Sequence, residues 1–293
     1  MRILVTGSKG QLGCEIINVL RAGFSEIAQI DKRYAGCDIV GVDVDELDIT
    51  NFAAVSDFVL EQKPDIAINC AAMTNVDACE TNEEVALRIN AIGPRNLAMA
   101  TRMAGSKLVH ISTDYVFAGD AAEPYCEWDF CAPQTIYGKS KLLGENYVMT
   151  QNPKSFIVRT SWLYGANGNN FVKTMVKLGQ EKTEVRVVND QRGNPTNAND
   201  LAHHILKIAL TNDFGIFHCT GNGECSWCEF AQKIMEFSGI TCKVTPCTSE
   251  EFPRPAKRPA YSSLNNLMLK ATVGDEMRDW KVALKSFCDN NFK

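Results

Sequence analysis

The opening segment restricts the architecture more than any other part of the chain. Arg2-Ile3-Leu4-Val5-Thr6 is a short β-branched and apolar run, the pattern of a strand buried on both faces. It ends in Gly7-Ser8-Lys9-Gly10-Gln11-Leu12-Gly13. Beyond it Ile16, Ile17, Val19 and Leu20 recur at helical spacing, and Gly23 supplies a stop. Strand, glycine turn and helix in that order suit a dinucleotide. Residues without a Cβ let the backbone approach a pyrophosphate, and the helix N-terminus meets its charge. The plainer alternative is a glycine turn with no ligand, against which the flanking strand and helix argue.

Downstream, apolar strands alternate with helical patterns, the signal for parallel β-α-β units. Strands are expected over 38–43, 65–71, 107–112 and 155–159. Helices are expected over 52–62, over 83–90 behind a Thr81-x-x-Glu84 capping box, and over 94–104 and 135–150. The right-handed crossover rule turns these into a doubly wound sheet with its ligand at the carboxyl ends of the strands. After about residue 160 the pattern loosens. We therefore expect an α/β chain with a dinucleotide-binding unit over 1–160 and a smaller, partly interleaved lobe over 161–293 that closes on the site. With 293 residues, 45% of them hydrophobic, the chain can bury a large core.

Charge and composition narrow the partners. A net charge of −5 with no Lys/Arg block argues against nucleic acid. No apolar stretch reaches membrane-spanning length and no signal-peptide pattern opens the chain, so a cytoplasmic location is expected. The 12 cysteines are scattered through apparent strands and helices, which favours reduced thiols packed as small hydrophobes. Cys225 and Cys228, with His218 and Cys219 before them, could be taken for a metal or redox site. No second pair follows, and Ser226-x-x-Glu229 reads as a capping box, so no metal site is expected. His203 and His204 are adjacent in an apparent helix and do not share a face; surface or satisfied core histidines are the expectation.

Chemistry enters at Thr113, Tyr137 and Lys141. On a helix, Tyr137 and Lys141 at i and i+4 share a face, so the ammonium can favour the ionised phenol and lower its pKa from about 10. A phenol tuned in this way exchanges protons with an alcohol or sugar oxygen near neutral pH. The end of the second strand bears on cofactor choice. Asp31 lies near the customary offset from the glycines, but 38–43 alternates like a strand, which makes Asp43 the preferred partner of the ribose hydroxyls. A carboxylate there repels a 2′-phosphate and favours NADH over NADPH. With Asp31 in that place, Lys32 and Arg33 could accept the phosphate.

Seven segments together carry a specific resemblance. They are Gly7-x-x-Gly10-Gln11-Leu12-Gly13, Leu47-Asp48-Ile49-Thr50, Asn69-Cys70-Ala71-Ala72-Met73-Thr74-Asn75-Val76-Asp77, Ser112-Thr113-Asp114-Tyr115-Val116-Phe117, Tyr137-Gly138-Lys139-Ser140-Lys141, Arg159-Thr160-Ser161-Trp162-Leu163-Tyr164-Gly165 and Asp190-Gln191-x-Gly193-x-Pro195-Thr196. The series resembles that of the dTDP-4-dehydrorhamnose reductases, extended short-chain dehydrogenase/reductases with a Rossmann-like sheet, over nearly the whole chain. The resemblance implies reduction of a nucleotide-sugar C4 ketone with NADPH or NADH, and is compatible with a homodimer. It implies that Thr113, Tyr137 and Lys141 are catalytic. It implies that Gly7, Gly10, Gln11, Leu12, Gly13, Asp48, Ile49, Ala71, Ala72, Tyr137 and Lys141 face the cofactor, with Lys141 holding the nicotinamide ribose. It further implies that Thr74, Val76, Thr113, Asp114 and Trp162 face the sugar-nucleotide. Two departures stand out: the 23–37 connection is longer than usual, and Met73 replaces a frequent aromatic.

Arg258 is our own candidate for the diphosphate, since guanidinium matches phosphate bidentately, with a solvated surface arginine as the alternative. A dehydratase of the same fold needs a further acid and base beside the threonine, where this chain has Asp114-Tyr115. An epimerase shares the tyrosine and lysine. A non-catalytic subunit, like the β subunit of methionine adenosyltransferase, would keep the fold alone.

Overall fold

The computed structural model describes residues 1–292 and is centred on a six-stranded parallel sheet. The first half comprises β1 (Arg2–Thr6), α1 (Gln11–Ala22), β2 (Asp38–Val42), α2 (Phe52–Gln62), β3 (Ile66–Asn69), α3 (Val76–Thr81), α4 (Glu83–Leu87), α5 (Gly93–Ala104), β4 (Lys107–Thr113), α6 (Ile136–Gln151) and β5 (Ser155–Thr160). Then come β6 (Leu163–Tyr164), α7 (Phe171–Glu181), β7 (Glu184–Val188), β8 (Arg192–Gly193), β9 (Thr196–Asn197), α8 (Ala198–Ala209), β10 (Gly215–His218), β11 (Cys225–Ser226), α9 (Trp227–Phe237), β12 (Lys243–Cys247), α10 (Leu267–Thr272) and α11 (Trp280–Phe292).

The sheet order is β2-β1-β3-β4-β5-β10. From β1 the chain passes to β2 on one side and then crosses back to β3 on the other. Such a reversal opens a crevice at the carboxyl ends of β1 and β3, the usual ligand position in a doubly wound sheet. Alternation within β1 explains why the strand is apolar throughout. Ile3 and Val5 pack toward Ile16 of α1 and Leu201 and Ile205 of α8, whereas Leu4 packs toward Val55, Val59 and Leu97 on the opposite face.

Local chemistry sets the helix ends. α1 stops at Gly23 in a left-handed conformation (φ 79°), and α6 starts at Thr135, whose hydroxyl accepts the Gly138 N–H at 3.0 Å. The capping box expected at Thr81 does not form. Thr81 closes α3 and its hydroxyl donates to the Ala78 carbonyl (3.1 Å), leaving Asn82 between the helices. Nor does the next helix stop at residue 90: α4 runs through a wide turn over Arg88–Ile92 into α5. Asn90 in that turn accepts from Met73 N (2.8 Å) and donates to Met73 O (3.0 Å) and Ser140 Oγ (3.0 Å), tying the segment after β3 to α6.

After residue 160 the chain divides its elements. β10 pairs with β5 in the central sheet and α8 packs on α1. α7, α9 and α11 instead enclose a second apolar cluster that includes Tyr164, Val172, Phe230, Trp280 and Phe287. Ser226 and Glu229 form the expected capping box at α9, which accounts for the buried Cys225 and Cys228 around that helix start. His203 and His204 are buried and satisfied. His203 Nδ1 meets Ser25 Oγ at 2.9 Å, and His204 lies between Asp200 O and Glu276 N. No helix among the described residues is long and apolar enough to cross a membrane.

Candidate active site

The glycine turn is built for close approach. Gly7 has a left-handed φ of 67°, and a Cβ there would lie 2.6 Å from Ala71 N; one on Gly13 would lie 2.2 Å from Gly7 O. A side chain at Gly7 would push the turn off the segment after β3, and one at Gly13 would push α1 off the turn. α1 begins at Gly10 with no side-chain cap, so its first amides are not covered by its own sequence. Beside the turn a cavity of about 500 Å³ is lined by Gly7, Gly10, Asp43, Leu47, Asp48, Ile49, Thr50, Ala71 and Ala72, and closed by Val85, Arg88 and Ile89. A glycine cradle continuing into an apolar slot with carboxylates at one edge fits a dinucleotide. Gln11 and Leu12 do not present their side chains to it. The Gln11 side chain reaches Leu163 O (3.1 Å) and Asn170 (2.8 Å), and Leu12 packs in the core.

β2 ends at Val42, immediately before Asp43, as expected, whereas Asp31 caps a separate helical turn and pairs with Arg33 at 2.8 Å. The long 23–37 connection therefore lies away from the cavity. Asp43 accepts from Lys9 N (3.0 Å) and Val44 N (2.8 Å). The Lys9 ammonium is held by Asp45 (3.2 Å) and Glu46 (2.8 Å), which leaves the rim acidic. Asp43→Ala is expected to improve use of NADPH relative to NADH roughly tenfold, about 1–2 kcal/mol of relieved repulsion, and Asp31→Ala to leave the ratio unchanged. Steady-state kinetics with both cofactors check this; a shift from Asp31 alone would reverse the assignment.

At the end of β4, the Thr113 hydroxyl lies close enough to the Tyr137 phenol to influence its proton affinity. The same hydroxyl donates to Asp114 Oδ1 (2.9 Å) and accepts from Tyr115 N (3.2 Å). Burial pushes the Asp114 carboxyl up to about 6, opposed by the nearby Ser262 and by Thr113, whose hydroxyl is bonded to its Oδ1, and its Oδ2 has no hydrogen-bond partner. Tyr137 is buried with Val76, Cys79 and Met73, and Tyr115 meets it edge-on at 5.5 Å. Burial raises the Tyr137 phenol, opposed by the nearby Thr113 hydroxyl. The lowering expected from Lys141 is not expressed in this arrangement. The Lys141 side chain turns to the Ile111 carbonyl, and its own burial brings it down to about 8.

Of the remaining candidates, Arg258 borders a further cavity. That cavity, of about 250 Å³, is bounded by Tyr115, Phe117, Gln134, Thr135, Lys257 and Arg258. Arg258 Nη2 is 3.0 Å from Asp77 Oδ2, which Arg254 also approaches at 3.6 Å, while the buried Arg258 Nη1 has no partner. A partnerless guanidinium edge is an anion site in waiting. This replaces the solvated-arginine alternative, since Arg258 is held rather than free. Thr74 is exposed at the start of the same segment. Trp162 is not an open aromatic face. It has a left-handed φ of 46°, stacks on Trp227 at 3.6 Å, and lies where a Cβ on Gly193 would be 2.6 Å from its ring. Asn69 and Asp77 lie in a segment that carries the resemblance, which assigns neither of them a role, and nothing in the sequence gives His110 one; their partners are met across long separations.

A parallel doubly wound sheet with a glycine cradle at its switch point and a Thr-Tyr-Lys cluster at the end of β4 defines an oxidoreductase of the extended short-chain dehydrogenase/reductase class. The family description "RmlD substrate binding domain" matches residues 1–292. A dTDP-4-dehydrorhamnose reductase from Clostridium acetobutylicum is 52% identical, covers 99% of both chains and superposes with a TM-score of 0.93. One from Bacillus anthracis, solved in complex with NADP, is 44% identical over 99% of both chains with a TM-score of 0.92. The spore coat polysaccharide biosynthesis protein SpsK of Bacillus subtilis is 41% identical over 98% of this chain and 96% of its own. The chain belongs to the dTDP-4-dehydrorhamnose reductase family.

Proposed function

We propose that this chain reduces the C4 ketone of dTDP-4-dehydro-L-rhamnose to dTDP-L-rhamnose in the cytoplasm, using NADPH or NADH. The observation that carries this reading is the glycine-lined cavity at the carboxyl ends of β1 and β3, with Tyr137 beside Thr113 at the end of β4 and Lys141 anchored to Ile111 of the same strand. NAD(P)H held in the glycine-lined cavity would supply the hydride for C4. Tyr137, kept protonated by burial, gives its proton to the oxygen that becomes the C4 hydroxyl. Thr113 fixes the phenol through its hydroxyl, and Asp114 in turn fixes Thr113. Lys141, anchored to the Ile111 carbonyl, holds the nicotinamide ribose. Gly7, Gly10 and Gly13 and the start of α1 take the pyrophosphate; Asp48 and Ile49 take the adenine side. We assign residues 1–160 to cofactor binding and the later lobe to the sugar-nucleotide, with Thr74, Val76 and Asp114 lining its path and Trp162 shaping the wall through its stack on Trp227.

The test is consumption of reduced nicotinamide by the purified chain with enzymatically prepared dTDP-4-dehydro-L-rhamnose. No turnover with either cofactor would refute the assignment. Arg258→Ala is expected to raise KM for the sugar-nucleotide by about 1.5–3 kcal/mol, the range for a hydrogen bond to a charged group, with cofactor affinity unchanged. Calorimetric titration with each ligand separately checks that division, and weakened cofactor binding with intact sugar-nucleotide binding would overturn it.

A further inference from the structure

A buried polar ladder crosses the sheet beneath the cofactor cavity and ends at Lys141. Thr6, Asn69 and His110 are register partners on the adjacent strands β1, β3 and β4. All three are buried with at most 1% exposure, so the ladder is shut off from bulk solvent. Asn69 Oδ1 accepts from Thr6 Oγ1 (2.7 Å) and from Ala71 N (3.1 Å). A backbone N–H can only donate, so Ala71 fixes which end of the Asn69 amide is the oxygen. The Asn69 Nδ2 group then donates to His110 Nδ1 at 3.0 Å. His110 is thereby left with its proton on Nε2, and that nitrogen faces Lys141 Nζ at 3.4 Å.

We propose that His110 is a positioning residue for Lys141: locked by Asn69 as the Nε2–H tautomer, it presents a donor to the lysine nitrogen and so favours the amine over the ammonium. This rests on the reading of Lys141 as the residue that holds the cofactor ribose. An ammonium has three donors and no acceptor, so it has no hydrogen bond to make with an N–H. The amine can accept from His110 while donating to the Ile111 carbonyl. Burial, with Lys141 adding to it, keeps His110 itself neutral. The other titratable groups acting on Lys141 are few. Cys70 lies just after β3, with its thiol pushed up to about 12 by burial, and Glu145 lies one turn on in α6. Both favour the ammonium, and Glu145 is bound to Arg159 of β5 at 2.7 Å. His110 is the neighbour with the opposite effect, which holds Lys141 close to the point where it changes charge.

Asn69→Asp tests the ladder without changing its shape. A carboxylate still accepts from Thr6 and Ala71 but can no longer donate, so the His110 proton moves to Nδ1 and Nε2 becomes an acceptor for the ammonium. His110→Gln offers an amide oxygen in the same place and guards against misfolding of the first variant. The readout is the pH dependence of NADPH and NADH binding, followed by the fluorescence of the reduced nicotinamide, alongside the pH profile of kcat. The alkaline limb that Lys141 sets is expected to move up by about one pH unit in both variants, because the charged lysine gains a partner. A limb that stays in place while affinity or thermal stability falls uniformly would assign His110 to packing alone and overturn the proposal. Because the binding arm needs no sugar, it separates this outcome from an error in the substrate. Absence of any cofactor binding by the unaltered chain would instead overturn the site reading itself and the proposal with it.

Discussion

Tyr137→Phe is expected to lose roughly 10²–10⁴-fold in kcat, the usual worth of a positioned general acid, while binding reduced cofactor as tightly as the unaltered chain. The ring has every reason to stay where it is. It packs with Cys79 and Ala86 and against Met73, Val76, Tyr115 and Ile136, and none of those contacts needs the hydroxyl. What the substitution removes is the group that meets Thr113. Burial keeps that phenol protonated through the neutral range, the state a ketone reduction requires of its proton donor. Single-turnover and steady-state rates, with a cofactor titration, separate the two effects. Full activity in the variant would remove Tyr137 from the mechanism.

Arg159→Met is expected to destabilise the fold by about 3–5 kcal/mol, because it strands the Glu145 carboxylate in the interior. The pair is bidentate, with Arg159 Nε and Nη2 donating to Glu145 at 3.0 and 2.7 Å, and both side chains are 3% exposed. Ser112 on β4 donates to the same carboxylate, and the guanidinium lies 5.1 Å from the Phe117 ring. Glu145 follows Tyr137 and Lys141 at helical intervals of four on α6, so this network clamps the helix that bears the proposed proton donor to β4 and β5. Thermal unfolding should fall by on the order of 10 °C. Combining Arg159→Met with Glu145→Leu should recover most of the loss, because no buried charge is then left without its partner. A single variant as stable as the parent would show that water reaches Glu145.

The local parts of the site were legible in the sequence because their causes act within a few residues. Gly7, Gly10 and Gly13 follow from backbone contacts around one turn. Asp43 follows from the alternation of β2, and the shared face of Tyr137 and Lys141 from the helical period. Local reasoning failed where two patterns competed over a short span. The Thr81 hydroxyl was taken by its own helix, and the break read at residue 90 was a wide turn in a continuous one. It also failed for the state of Lys141, since the same spacing allows the side chain to meet the phenol or the Ile111 carbonyl, and burial decides between them. Asn69 meets His110 across 41 residues and Asp77 meets Arg258 across 181, and Trp162 finds Trp227 only when the second cluster closes. The register of parallel strands joined by crossover helices and the packing of the later helices determine those meetings. The chain by itself specifies the elements and the reactive residue types; only the assembled sheet decides which buried donor faces which acceptor, because that pairing depends on distances no local spacing encodes.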